Sequence, residues 1–211
     1  NNLPNLMNKS YTLFISFIVA LGGFLLGFDS AVISGAVSGI RTYFEMSDWE
    51  LGFSVGCVIF GAMAGNIVAG PMSDKFGRKN VLLVTAMLFT ISALWSATAT
   101  TYVSFVIARI IGGIGIGGAI LIAPIYIAEI APPKLRGSLV SLNQLNIVMG
   151  ILAAQIANYL IAREVPLHAS DEFILNSWNG QMGWRWMFWA ELLPAVVFLV
   201  LSFQHLVLSM H

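Results

Sequence analysis

A chain of 211 residues that is 58% hydrophobic and only 9% charged, with a mean hydropathy of +0.85, is excluded from the ordinary soluble domains. In those, about a quarter of the side chains are charged. Ten basic and ten acidic residues give a formal net charge of zero, which offers no electrostatic reason to expect nucleic acid as a partner. The one cysteine, Cys57, lies inside an apolar run, so it makes no intrachain disulfide and reads as a packing residue.

Six apolar stretches follow in order: Thr12 to Ala36, Glu50 to Ala69, Val81 to Ala99, Val103 to Ile127, Ser138 to Ala162 and Trp184 to Phe203. Each matches the about 20 helical residues that a bilayer requires. They are continuous rather than alternating, which argues against a β-barrel and for helices that satisfy their own backbone groups. The first is too long for the core of a signal peptide and is read as a retained span. The expected architecture is an all-α membrane protein, a six-transmembrane-helix bundle over 12–203, with an N-terminal segment 1–11 and a tail 204–211.

Between the second and third stretches lies the one concentrated charged stretch, G-P-M-S-D-K-F-G-R-K from Gly70 to Lys79. Gly70 and Gly77 permit a tight turn, Pro71 is expected to end the preceding helix, and Asp74 is placed to cap or pair locally. Lys9, Lys75, Arg78, Lys79, Lys134 and Arg136 fall on one side of the membrane, against Arg41 and Arg163 on the other and Arg185 at its rim. That asymmetry puts both termini and the Gly70–Lys79 loop in the cytoplasm. The long outer loop from Arg163 to Gly183 carries Trp178, which with Trp184 and Trp186 suits an interfacial aromatic belt.

Small residues recur at spacing four: Gly52 and Gly56, Gly61 and Gly65, then Gly113 and Gly117. Such pairs let helix backbones approach closely where lipid gives no hydrophobic drive to association. Gly113 to Gly118 also matches G-x-G-x-x-G, but a dinucleotide fingerprint has to link a strand to a helix, and this one is inside a span.

Asp29, Arg109 and Glu191 are the ionisable residues deep inside the spans. At mid-bilayer such a residue costs about 2.5–3.5 kcal/mol on insertion scales, so it normally faces the protein interior and has a partner. Counted along helices of about 1.5 Å rise, all three lie about 9–11 Å below the outer surface. Their common depth predicts a cluster in which Arg109 bridges two carboxylates. One carboxylate in such a cluster is poised to exchange a proton, while the alternative is a fixed ion pair joining three helices. In the fifth span Ser141, Gln144, Gln155 and Asn158 project within about 100° of one another. An amide row of this kind suits either a polyhydroxyl ligand in a wet cavity or interhelical hydrogen bonding.

Four longer motifs now stand together: Gly27 to Ala36 (G-F-D-S-A-V-I-S-G-A), the Gly70–Lys79 loop, Arg109 to Gly117 (R-I-I-G-G-I-G-I-G) and Glu129 to Gly137 (E-I-A-P-P-K-L-R-G). With N-Q-L at Asn143 to Leu145 and G-W-R-W-M-F at Gly183 to Phe188, they resemble the sugar porter family of the major facilitator superfamily, in particular its proton-coupled members. The resemblance implies a transporter, not an enzyme, with no cofactor. Its partners would be a hexose or pentose and a proton, moved by alternating access. It implies that Asp29 carries the proton, with Arg109 and Glu191 as its neighbours, and that Gln144 binds sugar, with Gln155 and Asn158 on the same face. Gly70, Asp74, Gly77, Arg78, Lys79, Glu129 and Arg136 correspond to a cytoplasmic gating network. The family has twelve helices, and this chain matches the N-terminal six; a C-terminal half is the implied partner. After Phe203 the chain reads Q-H-L-V-L-S-M-H in place of the family's P-E-S-P-R, and Ile151 stands where some symporters have a second glutamine. A facilitative carrier without proton coupling, and a half-length membrane module inactive alone, are the other two readings.

Overall fold

The computed structural model describes residues 3–166 and 170–208, with side chains over 17–166 and 170–207. The side chain of Lys9 and the tail residues 209–211 lie outside these. The elements are α1 (Leu3–Tyr43), α2 (Asp48–Phe76), α3 (Arg78–Thr98), α4 (Tyr102–Ile130), α5 (Arg136–Ile161), a short α6 (Asp171–Asn176), a π-helical turn (Asn179–Gly183) and α7 (Trp184–Leu208). Among the described residues, six helices are long and apolar enough to cross a membrane: α1 to α5, and α7 together with the π-helical turn that leads into it. The outer loop is therefore not irregular throughout, since it contains α6 and the π-helical turn.

Helix ends explain where the expected boundaries move. Ser47 starts α2 with a capping box: its side chain accepts from the Glu50 backbone N–H at 3.3 Å, and Glu50 Oε2 accepts from the Ser47 N–H at 2.9 Å. Thr101 caps α4 by accepting from the Ser104 N–H at 3.3 Å. The charged stretch after Ala69 departs most from expectation. Pro71 does not end α2, which runs through it to Phe76. A proline removes one backbone donor, and membrane helices tolerate this where neighbouring groups compensate; α4 and α7 likewise continue through Pro124 and Pro194. The turn shrinks to Gly77 alone, at φ 86° and ψ 154°, a region that essentially only glycine occupies. Gly70, expected to share that role, is helical.

Packing is densest between α2 and α4 and between α1 and α5. Glycine makes both seams possible. A Cβ at Gly61 would run into the carbonyl oxygen of Ile110, one at Gly65 into Ile114 O, one at Gly113 into Val58 O and one at Gly117 into Ala62 O. In the α1–α5 seam, Gly27 and Gly150 are equally intimate with Ile147 O and Phe24 O. Gly52 and Gly56 are different: a Cβ there would meet nothing within 4 Å. The two sets are nine residues apart, about 180° around the helix, so Gly61 and Gly65 face α4 while Gly52 and Gly56 point away from it.

Two buried apolar clusters fill the bundle. One, near the Arg78 end, is built on residues such as Phe89, Ile122 and Phe198; the other, toward the opposite end, on Ile40, Phe105, Trp184 and Phe188. In their most apolar windows α1 and α4 are 67% buried, whereas α2 and α5 are only 22% buried. Replacing Gly61 by Ala is expected to lower the stability of the detergent-solubilised chain by about 1–3 kcal/mol through overpacking. Gly52→Ala should leave the thermal unfolding midpoint in place, and equal effects from the two changes would contradict the seam described here.

Candidate functional site

Three helices bring Asp29, Arg109 and Glu191 into one buried region. The helical repeat turns each toward the bundle interior, and the three residues are almost wholly excluded from solvent, at 1%, 2% and 1% exposure. Arg109 Nη1 on α4 donates to Asp29 Oδ1 on α1 in a close ion pair. Glu191 on α7 lies within electrostatic range of both. The expected bridge is only half made, since among the described residues the sole ion pair of Arg109 is with Asp29. The α7 side of the guanidinium is taken instead by the Phe188 ring, with its centroid 5.6 Å from the guanidinium carbon. Phe188 and Glu191 are three residues apart and so share a helix face. Arg109 Nε is buried without a hydrogen-bond partner among the described residues, and Asp29 Oδ2 and both Glu191 oxygens are buried without a donor, although the two carboxyls are near enough for one shared proton to join them. Sequence reasoning missed Phe188, because an aromatic residue in an apolar span carries no mark of the charge it will face.

The amide row divides. Asn158 is buried, and its Nδ2 donates to the carbonyls of Ala31 and Val32 on α1, at 3.4 and 3.2 Å. It ties α5 to α1, as the interhelical alternative had it. Gln155 is exposed and donates to Ser34 Oγ at 3.2 Å, while Gln144 and Ser141 are exposed on the same helix. Asn143, beside Gln144, is buried against Gly23, where a Cβ would lie 2.6 Å from its Oδ1. A cavity of about 480 Å³ between α1, α5 and α7 has Phe24, Phe28, Trp186 and Trp189 in its walls; it is apolar and unsuited to a polyhydroxyl ligand.

At the basic end, Arg78 joins three helices. Its Nη1 donates to Asp74 Oδ1 at 2.7 Å and to Ser73 Oγ on α2, and its Nε donates to Glu129 Oε1 on α4 at 3.2 Å. The helical continuation beyond Pro71 places Asp74 four residues before Arg78, within reach across the Gly77 turn. Lys79 and Arg136 form no ion pair among the described residues, and Gly70 lies on the helical approach to this cluster. Also at this end, the buried Tyr126 hydroxyl and His205 Nε2 are 2.8 Å apart, a contact between α4 and α7 that the sequence reading did not anticipate.

With this geometry in view, the chain can be set beside known proteins. The family model for sugar (and other) transporters matches residues 15–205. The glucose transport protein of Synechocystis sp. is 43% identical over 196 residues, which cover 93% of this chain and 41% of that protein. The D-xylose-proton symporter of Escherichia coli (strain K12) is 39% identical over 222 residues, 93% of this chain and 43% of the symporter. In three dimensions the proton:xylose symporter XylE of the major facilitator superfamily, solved with 6-bromo-6-deoxy-D-glucose, aligns at a TM-score of 0.83 and 38% identity over 93% of this chain and 45% of XylE. The chain thus matches the N-terminal half of that transporter and spans less than half the length of the curated relatives it resembles.

Removing one member of a buried pair leaves a charge uncompensated, so Arg109→Leu is expected to cost about 3–5 kcal/mol of stability in detergent. Adding Asp29→Asn to that variant should recover much of the loss. Additive losses in thermal unfolding would show that the two groups do not depend on each other.

Proposed function

The chain belongs to the sugar (and other) transporter family, and on that premise we propose that it forms the N-terminal half of a proton-coupled sugar transporter. The observation that carries this reading is the buried ion pair of Asp29 and Arg109 with Glu191 beside it. Two carboxyl groups near one guanidinium hold more negative charge than they can pair, and a proton taken up by either restores the balance. Proton uptake at Asp29 would weaken its hold on Arg109 and so loosen α1 from α4. In this way a proton becomes a change in helix packing.

Sugar would bind where this half meets the second, near the middle of the membrane, and rocking of the halves would alternate its access. The exposed Ser141, Gln144 and Gln155 of α5 support this arrangement, because polar side chains at membrane depth normally face protein or a wet cavity and not lipid. Gln144 and Gln155 are the side chains proposed to meet sugar hydroxyls; Asn158 stays out of that set because it is buried and its Nδ2 is committed to α1 carbonyls. The basic end is proposed as the cytoplasmic side, with Arg78, Asp74 and Glu129 as a latch that holds α2, α3 and α4 together in one conformation. Gly77 supplies its turn, and Gly70, Lys79 and Arg136 flank it.

In a transporter that joins this chain to a second half, Asp29→Asn should abolish uphill sugar uptake and leave sugar exchange measurable. Uphill uptake that survives this change would sink the proton role. Gln144→Ala is expected to raise the sugar concentration for half-maximal exchange about threefold to tenfold, the equivalent of one hydrogen bond. The close pairing of Arg109 with Asp29 leaves room for one second reading, a facilitative carrier in which the ion pair is purely structural. Sugar-driven alkalinisation of the medium separates the two, since only the coupled carrier produces it.

A further inference from the structure

We propose that Phe188 is a positioning residue for Arg109: its ring holds the guanidinium in place when Asp29 takes up a proton and the ion pair is lost. The inference rests on the reading of Asp29 as the proton site and adds a residue to that site. A guanidinium this deep needs a partner in both protonation states. In the ionised state Asp29 supplies it. Once Asp29 is neutral, the groups left facing Arg109 are Glu191 from α7, Cys57 from α2 and the Phe188 ring. The ring is the partner that carries no proton of its own to lose or gain. Arg109 Nε has no hydrogen-bond partner among the described residues, so part of the guanidinium is free to settle against the π face.

Phe188 is fully buried and held in place. It meets Phe105 edge to face, with centroids 5.6 Å apart and planes at 75°, and Phe105 meets Trp184 at 6.2 Å and 88°. The stack packs the ring against neighbours on two helices, so it presents its face to Arg109 while the carboxylate opposite changes charge.

Asp29→Asn stands in for the protonated acid, because its amide is neutral and close to the carboxyl in shape. With Arg109 no longer ion-paired, it leans more on the ring, so weakening the ring should cost more in that background than beside the ionised carboxylate.

The test uses the full 211-residue chain in lipid nanodiscs. Thermal unfolding is the readout. Phe188→trifluorophenylalanine, which keeps the shape but weakens the π face, should lower the unfolding midpoint more in the Asp29→Asn background than in the otherwise unchanged chain, and Phe188→Leu should show the same excess. If Phe188→Leu does not insert, the fluorinated variant decides. Equal losses in the two backgrounds overturn the inference while the proton site stands. Uphill uptake that survives Asp29→Asn in the joined transporter removes the proton site and this inference with it.

Discussion

Burying a guanidinium and a carboxylate inside a membrane bundle is tolerable only if they find each other, and that requirement organises this protein. Arg109 on α4 and Asp29 on α1 are far apart in the chain, and neither helix has another charged group of opposite sign at that depth. Their pairing therefore demands that α1 and α4 lie side by side. Desolvation opposes the pair as strongly as attraction favours it. Such a contact is a poor source of net stability but a stringent condition on which helices can be neighbours. It is also sensitive to one proton, which ordinary apolar packing is not.

The glycine seams meet the geometric side of the same condition. Where α2 crosses α4, backbone touches backbone at Gly61, Gly65, Gly113 and Gly117. Where α5 crosses α1, Gly27 and Gly150 do the same. The two helices that carry the ion pair are thus each flanked by a partner at close range, which leaves little room for lipid or water beside the charges. Above the pair, toward the end that bears Trp184, the Phe105–Trp184–Phe188 stack closes the cluster with aromatic surface. At the other end Arg78 ties α2, α3 and α4 by polar contacts that are partly exposed. Apolar packing fills both ends, and an exposed ion pair, Arg41 with Asp48, also bridges α1 and α2 at the first. Among the described residues only Arg78 ties three helices, and such exposed ionic contacts can be broken and remade at little cost.

Much of this was legible in the residues. The length of each apolar run, the common depth of Asp29, Arg109 and Glu191, and the spacing of the glycines follow from helical rise and period, which the chain carries locally. Reading failed wherever the answer depended on what another helix offers. Pro71 looked like a terminator because soluble helices treat it so, yet α2 continues through it. Asn158 and Gln155 share an arc of α5, but only Asn158 meets α1 carbonyls. The Gly52–Gly56 and Gly61–Gly65 pairs lie on opposite faces of α2, and only the crossing decides which face meets α4.

What the sequence determined by itself is therefore the set of spans, their family and the charges that must be buried, because hydrophobic length and the cost of a charge in hydrocarbon act on each segment alone. The partner of each buried group was decided by tertiary structure. The crossing of α7 lays the Phe188 ring over the guanidinium of Arg109, while Glu191, one turn along the same face, reaches the cluster without an ion pair to it among the described residues. Periodicity tells which side chains share that face; only the crossing tells which of them arrives.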